Sequence, residues 1–205
     1  MSSAAAIEPR RQPKGDKRAR TRAKLVQAAI ELVREKGFER TTLADVAQRA
    51  GVTTGAIYGN FANRDELFLA VAHVRAAPII PQVHAGMSFA EHMRALAEAV
   101  VAAVPARRDA IFGTLSFQAY TLTHEEIRQQ VLANSAEVYR RTARGMLALL
   151  RPEDLPMPAE TLVRVLHAMT DGLLLKRIQM PELVPDEVIY AAFAAIAGER
   201  SPEPS

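Results

Sequence analysis

The chain has 205 residues, of which 49% are hydrophobic and none is Cys, a composition that allows a sizeable core and excludes disulfides, thiolate zinc sites and a cysteine nucleophile. It contains no run of about 18 apolar residues and no secretory signal pattern, so the sequence predicts a cytoplasmic protein with no membrane partner. Residues 1–64 carry 13 Lys and Arg against 6 Asp and Glu, whereas residues 65–205 carry 13 against 17, which indicates either a polyanionic partner for the N-terminal third or a solvated basic surface.

Residues 1–20 are predicted to form a disordered basic arm. They contain two prolines, one glycine and six basic residues between Arg10 and Arg20, and they show little apolar periodicity. Two alternatives remain open for such an arm, namely contact with a polyanion and no role in binding at all.

The first amphipathic helix is predicted from Thr21 to Gly37. Leu25, Ala29 and Leu32 recur at a spacing of three to four residues, which gives the helix one apolar face. Gly37 ends this helix, because a helix C-terminus favours a residue that can take a left-handed conformation.

A helix-turn-helix is predicted next. Thr42 and Asp45 form the capping box of a second helix over residues 43–50. Gly51 relieves backbone strain in the turn, and Thr53 caps a third helix that reaches about residue 60. Two helices joined by a short turn with Gly form the arrangement that places the second of them in the major groove of DNA.

The rest of the chain is also predicted to be helical. Neither an alternating strand pattern nor an Asn-Gly hairpin occurs in it, so the fold class is all-α. Prolines separate the helices, and Pro105 is expected to divide one long helical stretch into two. The predicted helices span residues 64–76, 89–104, 108–121, 125–150, 159–179 and 185–197.

The stretch from Thr21 to Val71 resembles a known family. It reads TRAKLVQAAIELVREKGFERTTLADVAQRAGVTTGAIYGNFANRDELFLAV and is similar, nearly without interruption, to the N-terminal domain of the TetR (tetracycline-repressor-like) family. The match includes the turn EKGFERTT, the third-helix segment AGVTTGAIY and an aromatic-turn-charged run that enters the fourth helix. Near the C-terminus, DGLLLKRI, a Pro-rich break and a last helix resemble the dimerising end of that family in style only.

The resemblance implies an all-α protein in which an N-terminal three-helix helix-turn-helix domain is joined by a linker helix to a larger helical domain for ligand binding and dimerisation. The corresponding division is a basic arm at 1–20, a DNA-binding domain at 21–62, the larger domain at 63–199 and a flexible tail at 200–205. The implied function is that of a ligand-responsive transcriptional regulator, most often a repressor. It would bind a palindromic operator in double-stranded DNA as a homodimer and be released when an unidentified small hydrophobic effector moves the fourth helix.

Several positions of the resembled motif are expected to contact DNA. Thr54 stands where a Lys is common and Gly59-Asn60 where His-Tyr is common, so the third helix carries less charge than usual in the family. Asn60 could either pair with an adenine edge or cap the end of its helix. If the arm replaces the missing charge, deleting residues 1–20 should weaken operator binding and flatten its salt dependence, whereas unchanged affinity and slope would exclude the idea. The expected DNA-contacting residues are Thr42, Thr53, Thr54, Gly55, Ala56, Tyr58, Asn60 and Arg64.

The larger domain offers candidates for a ligand pocket and for a dimer seam. Apolar helices that carry isolated polar groups could line a pocket, although each such side chain could equally belong to the core or to an interface. The candidate ligand residues are His92, Phe117, Tyr120, Tyr139, Met146, His167 and Asp171, of which the last two are spaced i,i+4 on one helix. The candidate dimer residues are Leu166, Leu173, Leu174, Val188, Ala192, Phe193 and Ile196.

Two other classes of function compete with regulation. The five His residues show no metal-binding spacing, and no nucleophile elbow or phosphate-binding Gly loop occurs, so the sequence predicts no enzyme, no metal and no cofactor. Glu125 and Glu126 beside His124 open a helix, where carboxylates stabilise the helix dipole. The second alternative is a helical protein-binding adaptor with weak, non-specific affinity for DNA.

Overall fold

The computed structural model of the chain describes residues 14–75 and 78–199, so most of the predicted arm and the predicted tail lie outside the described residues. Within the described ranges the chain is helical and contains no β-strand, which confirms the all-α prediction. The helices are α1 Lys14–Arg40, α2 Leu43–Arg49, α3 Thr54–Tyr58, α4 Arg64–Arg75, α5 Phe89–Thr123, α6 Glu125–Leu147, α7 Ala159–Gln179 and α8 Asp186–Ile196, with a short 3₁₀ turn at Pro152–Asp154. None of these described helices is long and apolar enough to cross a membrane.

The chain divides into two compact units, here called the N-terminal unit, which ends at Arg75, and the C-terminal unit, which begins at Ala76. α4 therefore belongs to the N-terminal unit, although the domain boundary was predicted before it, between residues 62 and 63. Packing explains the difference, because Leu67 and Phe68 of α4 are fully buried and the ring of Phe68 meets that of Phe38 edge-on at 4.7 Å between centroids. The roles of the two units in DNA binding and in ligand binding stay predictions.

α1 begins seven residues before the predicted start at Thr21, so Lys14–Arg20 is helical rather than part of a disordered arm. No proline follows Pro13 in this stretch, and Lys, Ala and Arg all favour helix. Gly37, where the first helix was predicted to end, has a left-handed φ of 80° and interrupts the helical geometry before Arg40. The special role of Gly37 is thus confirmed, while the start of the helix is earlier than predicted.

α5 is one continuous helix of 35 residues, so the prediction that Pro105 breaks it in two was wrong. Proline removes one backbone hydrogen bond from a helix, which by itself favours a break. Pro105 is exposed, however, and buried residues on either side of it, Val104 before and Gly113 after, keep both halves of α5 packed on the unit. Tertiary packing therefore outweighs the local preference of proline.

The main core of the C-terminal unit lies where α5 packs on α7 and α8. Leu166, Leu174 and Phe193, which were predicted to form a dimer seam, are buried in this core. A side chain already covered by its own chain cannot be covered by a second copy, so the prediction is corrected for these three residues. Among the other predicted seam residues, Val188 is exposed, while Leu173, Ala192 and Ile196 are half-buried.

Candidate nucleic-acid interface

The start of α2 is fixed by the predicted capping box. The backbone N–H of Asp45 donates to the Thr42 hydroxyl at 3.2 Å, and the backbone N–H of Thr42 donates to Asp45 Oδ2 at 3.0 Å. Lys36 Nζ of α1 donates to the same Oδ2 at 2.6 Å. One carboxylate thus caps α2 and ties it to α1.

The turn between α2 and α3 is held by backbone geometry. Gly51 has a φ of 66°, a left-handed conformation that costs glycine little. The N–H of Val52 donates to the carbonyl of Ala47 at 3.0 Å, and Thr53 caps α3 by accepting from the N–H of Ala56 at 3.3 Å. The sequence predicted both the turn glycine and the Thr53 cap, and the structure confirms them.

α3 is a short helix with one buried and one exposed face. Ile57 is fully buried and anchors α3 to the core of the N-terminal unit. On the opposite side Thr54 and Gly55 are exposed, and the side chain of Tyr58 is 58% exposed. Thr53, at the start of the helix, is exposed as well. The structure therefore brings four of the predicted DNA-contacting residues onto one open surface, here called the α3 face.

Thr42 is exposed, but its hydroxyl donates to Asp45 Oδ2 at 2.7 Å. A phosphate contact by this hydroxyl would have to replace that hydrogen bond. The predicted contact between Thr42 and DNA therefore stays a prediction, and its capping role is what the structure shows.

Arg64 was predicted to contact DNA, and the structure gives its guanidinium partners inside the N-terminal unit. Its Nε donates to the carbonyl of Thr41 at 3.0 Å, its Nη2 donates to the carbonyl of Phe38, and its Cζ lies 4.5 Å from the centre of the Phe68 ring. These contacts tie the start of α4 to the link between α1 and α2. Arg64 thus shapes the helix-turn-helix, whether or not it also meets DNA.

Asn60 faces the end of α3 rather than the open surface. Its Nδ2 donates to the carbonyl of Ala56 at 2.7 Å, and its Oδ1 is buried without a hydrogen-bond partner among the described residues. Of the two predicted roles, capping the helix end is the one that this geometry supports, since Nδ2 donates to the helix and Oδ1 is buried.

Two arginines of α1 that the sequence analysis did not single out contact the end of α3. Arg18 donates to the carbonyl of Gly59 at 3.2 Å, and Arg22 donates to the carbonyl of Asn60 at 2.6 Å. Their spacing of four residues on one helix could have shown that they share a face, but the partner of that face is fixed only by the tertiary fold.

The low pKa of Asp45 makes the N-terminal unit sensitive to acid. Hydrogen bonds from Lys36 and then from Thr42 lower the pKa of Asp45 from 3.8 to about 2. Because the folded pKa is depressed, the stabilisation is complete above the unfolded value and is lost as the pH falls from about 4 through about 2. We expect the Asp45→Asn variant to be less stable than the wild type at pH 7. At pH 2 the stabilities of the two proteins should be similar.

Urea unfolding of the N-terminal unit, followed by residue-resolved NMR at pH 7 and pH 2, measures this difference. Glu125→Gln is the matched control, because hydrogen bonds from Arg128 and Gln129 likewise lower the pKa of Glu125 to about 2, but in the C-terminal unit. A loss of stability in Asp45→Asn that is equal at pH 7 and pH 2 would contradict the low pKa of Asp45.

The predicted ligand residues do not form one cluster. The Tyr120 ring stacks on His124 with centroids 3.7 Å apart, and Tyr139 meets His167 edge-on at 5.2 Å. Burial and then the charge of Asp171 raise the pKa of Tyr139. Within the predicted set, therefore, Tyr139, His167 and Asp171 lie together.

Met146 packs on the same small cluster as Tyr139 and also on the main core, whereas His92 and Phe117 belong to α5. His92 is buried, its Nδ1 lies 3.0 Å from the carbonyl of Ser88, and its Nε2 has no hydrogen-bond partner among the described residues. Phe117 is half-buried, and Met146 packs against the core.

A cleft of about 90 Å³ in the C-terminal unit contains none of the predicted ligand residues. Its lining residues are Ala90, Arg94, Tyr190, Ala194 and Glu199. Pockets for drug-sized molecules usually exceed about 300 Å³, so this cleft is too small for such a ligand.

Comparison with known proteins places the helix-turn-helix in a family. Residues 25–71 match the family model described as bacterial regulatory proteins, tetR family. The HTH-type transcriptional regulator TtgR of Pseudomonas putida is 51% identical over 51 residues, which cover 25% of this chain and 24% of that protein. The probable acrEF/envCD operon repressor of Escherichia coli is 45% identical over 49 residues, covering 24% of this chain and 22% of that protein.

The fold similarity extends over most of the chain. A transcriptional regulator from Rhodococcus sp. Rha1 has a solved structure that superposes with a TM-score of 0.62 and 25% identity over 86% of this chain and 94% of that one. The sequence matches, in contrast, span only about a quarter of the length of the curated relatives. All of these relatives are transcriptional regulators rather than enzymes, as the sequence predicted. Residues 25–71 of the chain thus match the tetR family of bacterial regulatory proteins, and the helical fold agrees with that match.

Proposed function

We propose that the protein is a transcriptional repressor that binds a palindromic operator as a homodimer and is released by a small hydrophobic effector. The observation that carries the proposal is the α3 face. Thr54, Gly55 and Tyr58 are exposed on a helix whose opposite side is anchored by the fully buried Ile57. A short helix that is anchored to the core on one side and exposed on the other is suited to entering the major groove of DNA.

The charge of the N-terminal unit supports a nucleic-acid partner. Lys17, Arg20 and Lys24 are exposed on α1, and the excess of basic residues is confined to the first 64 positions. Contacts from such residues to phosphates give affinity without sequence preference. The sequence preference would then come from the α3 face.

Binding as a homodimer follows from the small size of one reading helix. α3 has only five residues, and two-fold symmetry doubles the DNA surface that is read. The predicted residues that still have exposed surface for a partner are Leu173 of α7 and Val188, Ala192 and Ile196 of α8. Repression is favoured because a matched relative is named as an operon repressor.

Release by an effector is the part of the proposal that needs a change in the C-terminal unit. A ligand that binds one arrangement of this unit more tightly shifts the population toward that arrangement. Two half-sites about 34–36 Å apart on DNA tolerate little change in the separation of the two reading helices. His92 Nε2, which has no hydrogen-bond partner in the part of the chain that the structure describes, and the half-buried Tyr139 are polar groups that an apolar ligand with one hydrogen-bonding group could use.

Selection of bound sequences from random duplex DNA by the full chain tests the proposal. We expect an enriched inverted repeat whose half-sites are about one helical turn apart, about 10 base pairs, and a complex with two chains per duplex. Enrichment of no sequence, together with weak binding that depends only on salt, would contradict the proposal and would favour a helical protein-binding adaptor. A single half-site bound by one chain would contradict the dimer alone.

A further inference from the structure

We infer that Arg22 of α1, assisted by Arg18, is a positioning residue that fixes the orientation of the reading helix α3. The inference rests on the proposed function, because it concerns how the α3 face is presented to DNA. Neither arginine is on the α3 face, and each acts through the backbone at the C-terminal end of α3.

Arg22 makes three contacts around the end of α3. Its Nη1 donates to the carbonyl of Asn60 at 2.6 Å and to Glu66 Oε1 at 3.3 Å, and its Cζ lies 4.1 Å from the centre of the Phe61 ring. Phe61 is almost fully buried, so the guanidinium rests on a fixed surface. The planar group is thereby held both by stacking and by hydrogen bonds.

Glu66 extends this network to α4. Its Oε2 accepts from the backbone N–H of Ala62 at 2.8 Å, and its own N–H donates to Asn63 Oδ1 at 2.8 Å. Arg22 therefore joins α1, the segment that leaves α3 and the first turn of α4. A shift of α3 relative to α1 would have to break these contacts together.

A helix as short as α3 depends on partners outside itself. It has five residues, and the carbonyls that follow it, those of Gly59 and Asn60, accept from Arg18 and Arg22. The C-terminal end of a helix carries a partial negative charge, which cationic donors stabilise. The two arginines therefore hold the end of α3 that lies away from the Thr53 cap.

A direct phosphate contact by Arg22 is the competing explanation, and it predicts different binding behaviour. A lost phosphate contact weakens all duplexes alike and reduces the salt slope by about 0.9. A lost positioning contact weakens the preferred duplex more than an unrelated one, because only the preferred duplex depends on the exact placement of α3. Lysine keeps the charge of Arg22 but lacks the planar group that stacks on the Phe61 ring while its Nη1 donates to two acceptors.

The experiment compares Arg22→Lys and Arg22→Ala with Lys24→Ala. Lys24 is exposed on the same helix, so its removal takes away one positive charge without touching the end of α3. The probes are the duplex that the wild-type chain selects from random DNA and an unrelated duplex of equal length. We expect Arg22→Lys to bind the selected duplex about tenfold more weakly than the wild type does. Its affinity for the unrelated duplex should fall less than about twofold, and the salt dependence of binding should not change. Lys24→Ala should weaken both duplexes equally.

Amide hydrogen exchange without DNA gives a second readout. In both Arg22 variants we expect the amides of residues 59–61 to exchange faster than in the wild type, while those of Val46 and Ala47 in α2 stay protected, which shows that the unit is folded. The inference would be overturned if the Arg22 variants lost affinity equally for both duplexes, if their salt slope were reduced, or if their amide exchange at residues 59–61 were unchanged. If the wild type selects no duplex, the proposed function fails, and the exchange data alone decide whether Arg22 orders α3.

Discussion

Replacing Phe68 by Ala should lower the free energy of unfolding of the N-terminal unit by about 3–5 kcal/mol, the usual cost of removing a buried phenyl ring. Phe68 is fully buried, its ring meets Phe38 edge-on, and the guanidinium of Arg64 lies over it. The cavity left by the ring would thus loosen α4 and the link between α1 and α2 at once. The C-terminal unit has its own core, so we expect it to stay folded.

Urea unfolding followed by residue-resolved NMR measures the two units separately. Phe112→Ala is the matched control, because the Phe112 side chain is 73% exposed on α5 and its removal should change stability by less than about 0.5 kcal/mol. A loss below about 1 kcal/mol for Phe68→Ala would show that the site collapses around the missing ring. A simultaneous loss of the C-terminal unit would contradict the division into two independently packed units.

Replacing Arg64 by Ala should also destabilise the N-terminal unit, by about 2 kcal/mol, since hydrogen bonds to charged groups contribute about 1.5–3 kcal/mol. The carbonyls of Thr41 and Phe38 would both lose the donor that Arg64 provides. Arg64→Lys should recover only part of this loss, because a single ammonium group cannot replace the planar guanidinium over Phe68. Thermal unfolding of the three proteins without DNA measures the effect.

The control for this comparison is Arg40→Ala, which removes an exposed positive charge from the same part of the molecule. If Arg64 served only to bind phosphate, Arg64→Ala would be as stable as Arg40→Ala, and Arg64→Lys would bind DNA like the wild type. Either result would contradict the positioning role that the structure gives to Arg64.

Local features of the N-terminal unit could be predicted from the sequence. The Thr42–Asp45 capping box, the Thr53 cap and the left-handed Gly51 each depend on residues a few positions apart. Hydrogen bonds and backbone preferences at that range are fixed by residue type and spacing. The resemblance over Thr21 to Val71 also predicted how the helices of this unit are arranged. The exposed α3 face agrees with that prediction.

Tertiary partners could not be predicted in the same way. A basic side chain at position 64 is equally suited to a phosphate and to the carbonyls of Phe38 and Thr41, and its contacts with these carbonyls follow only from the packing of α4 on α1. The side chain of Asn60 likewise donates to the carbonyl of Ala56, which lies within reach of its half-buried position after α3.

The packing of whole helices in the C-terminal unit could not be predicted from the sequence either. Apolar residues at helical spacing, such as Leu166 and Phe193, indicate a buried face but do not say which helix covers it. The continuity of α5 through Pro105 also depends on contacts along its whole length rather than on the proline itself.

The central claim is that the α3 face reads DNA sequence, and a selection from random duplex DNA with the Thr54→Ala/Tyr58→Ala double variant tests it most directly. Both side chains are exposed, so their loss should change stability by less than about 0.5 kcal/mol per site. Phe112→Ala/Thr142→Ala, at exposed positions of α5 and α6 in the C-terminal unit, is the matched control. We predict that the control recovers the wild-type inverted repeat, whereas the α3 variant recovers a motif that is lost or changed at the same positions in both half-sites. Recovery of the unaltered wild-type motif by the α3 variant would contradict the account.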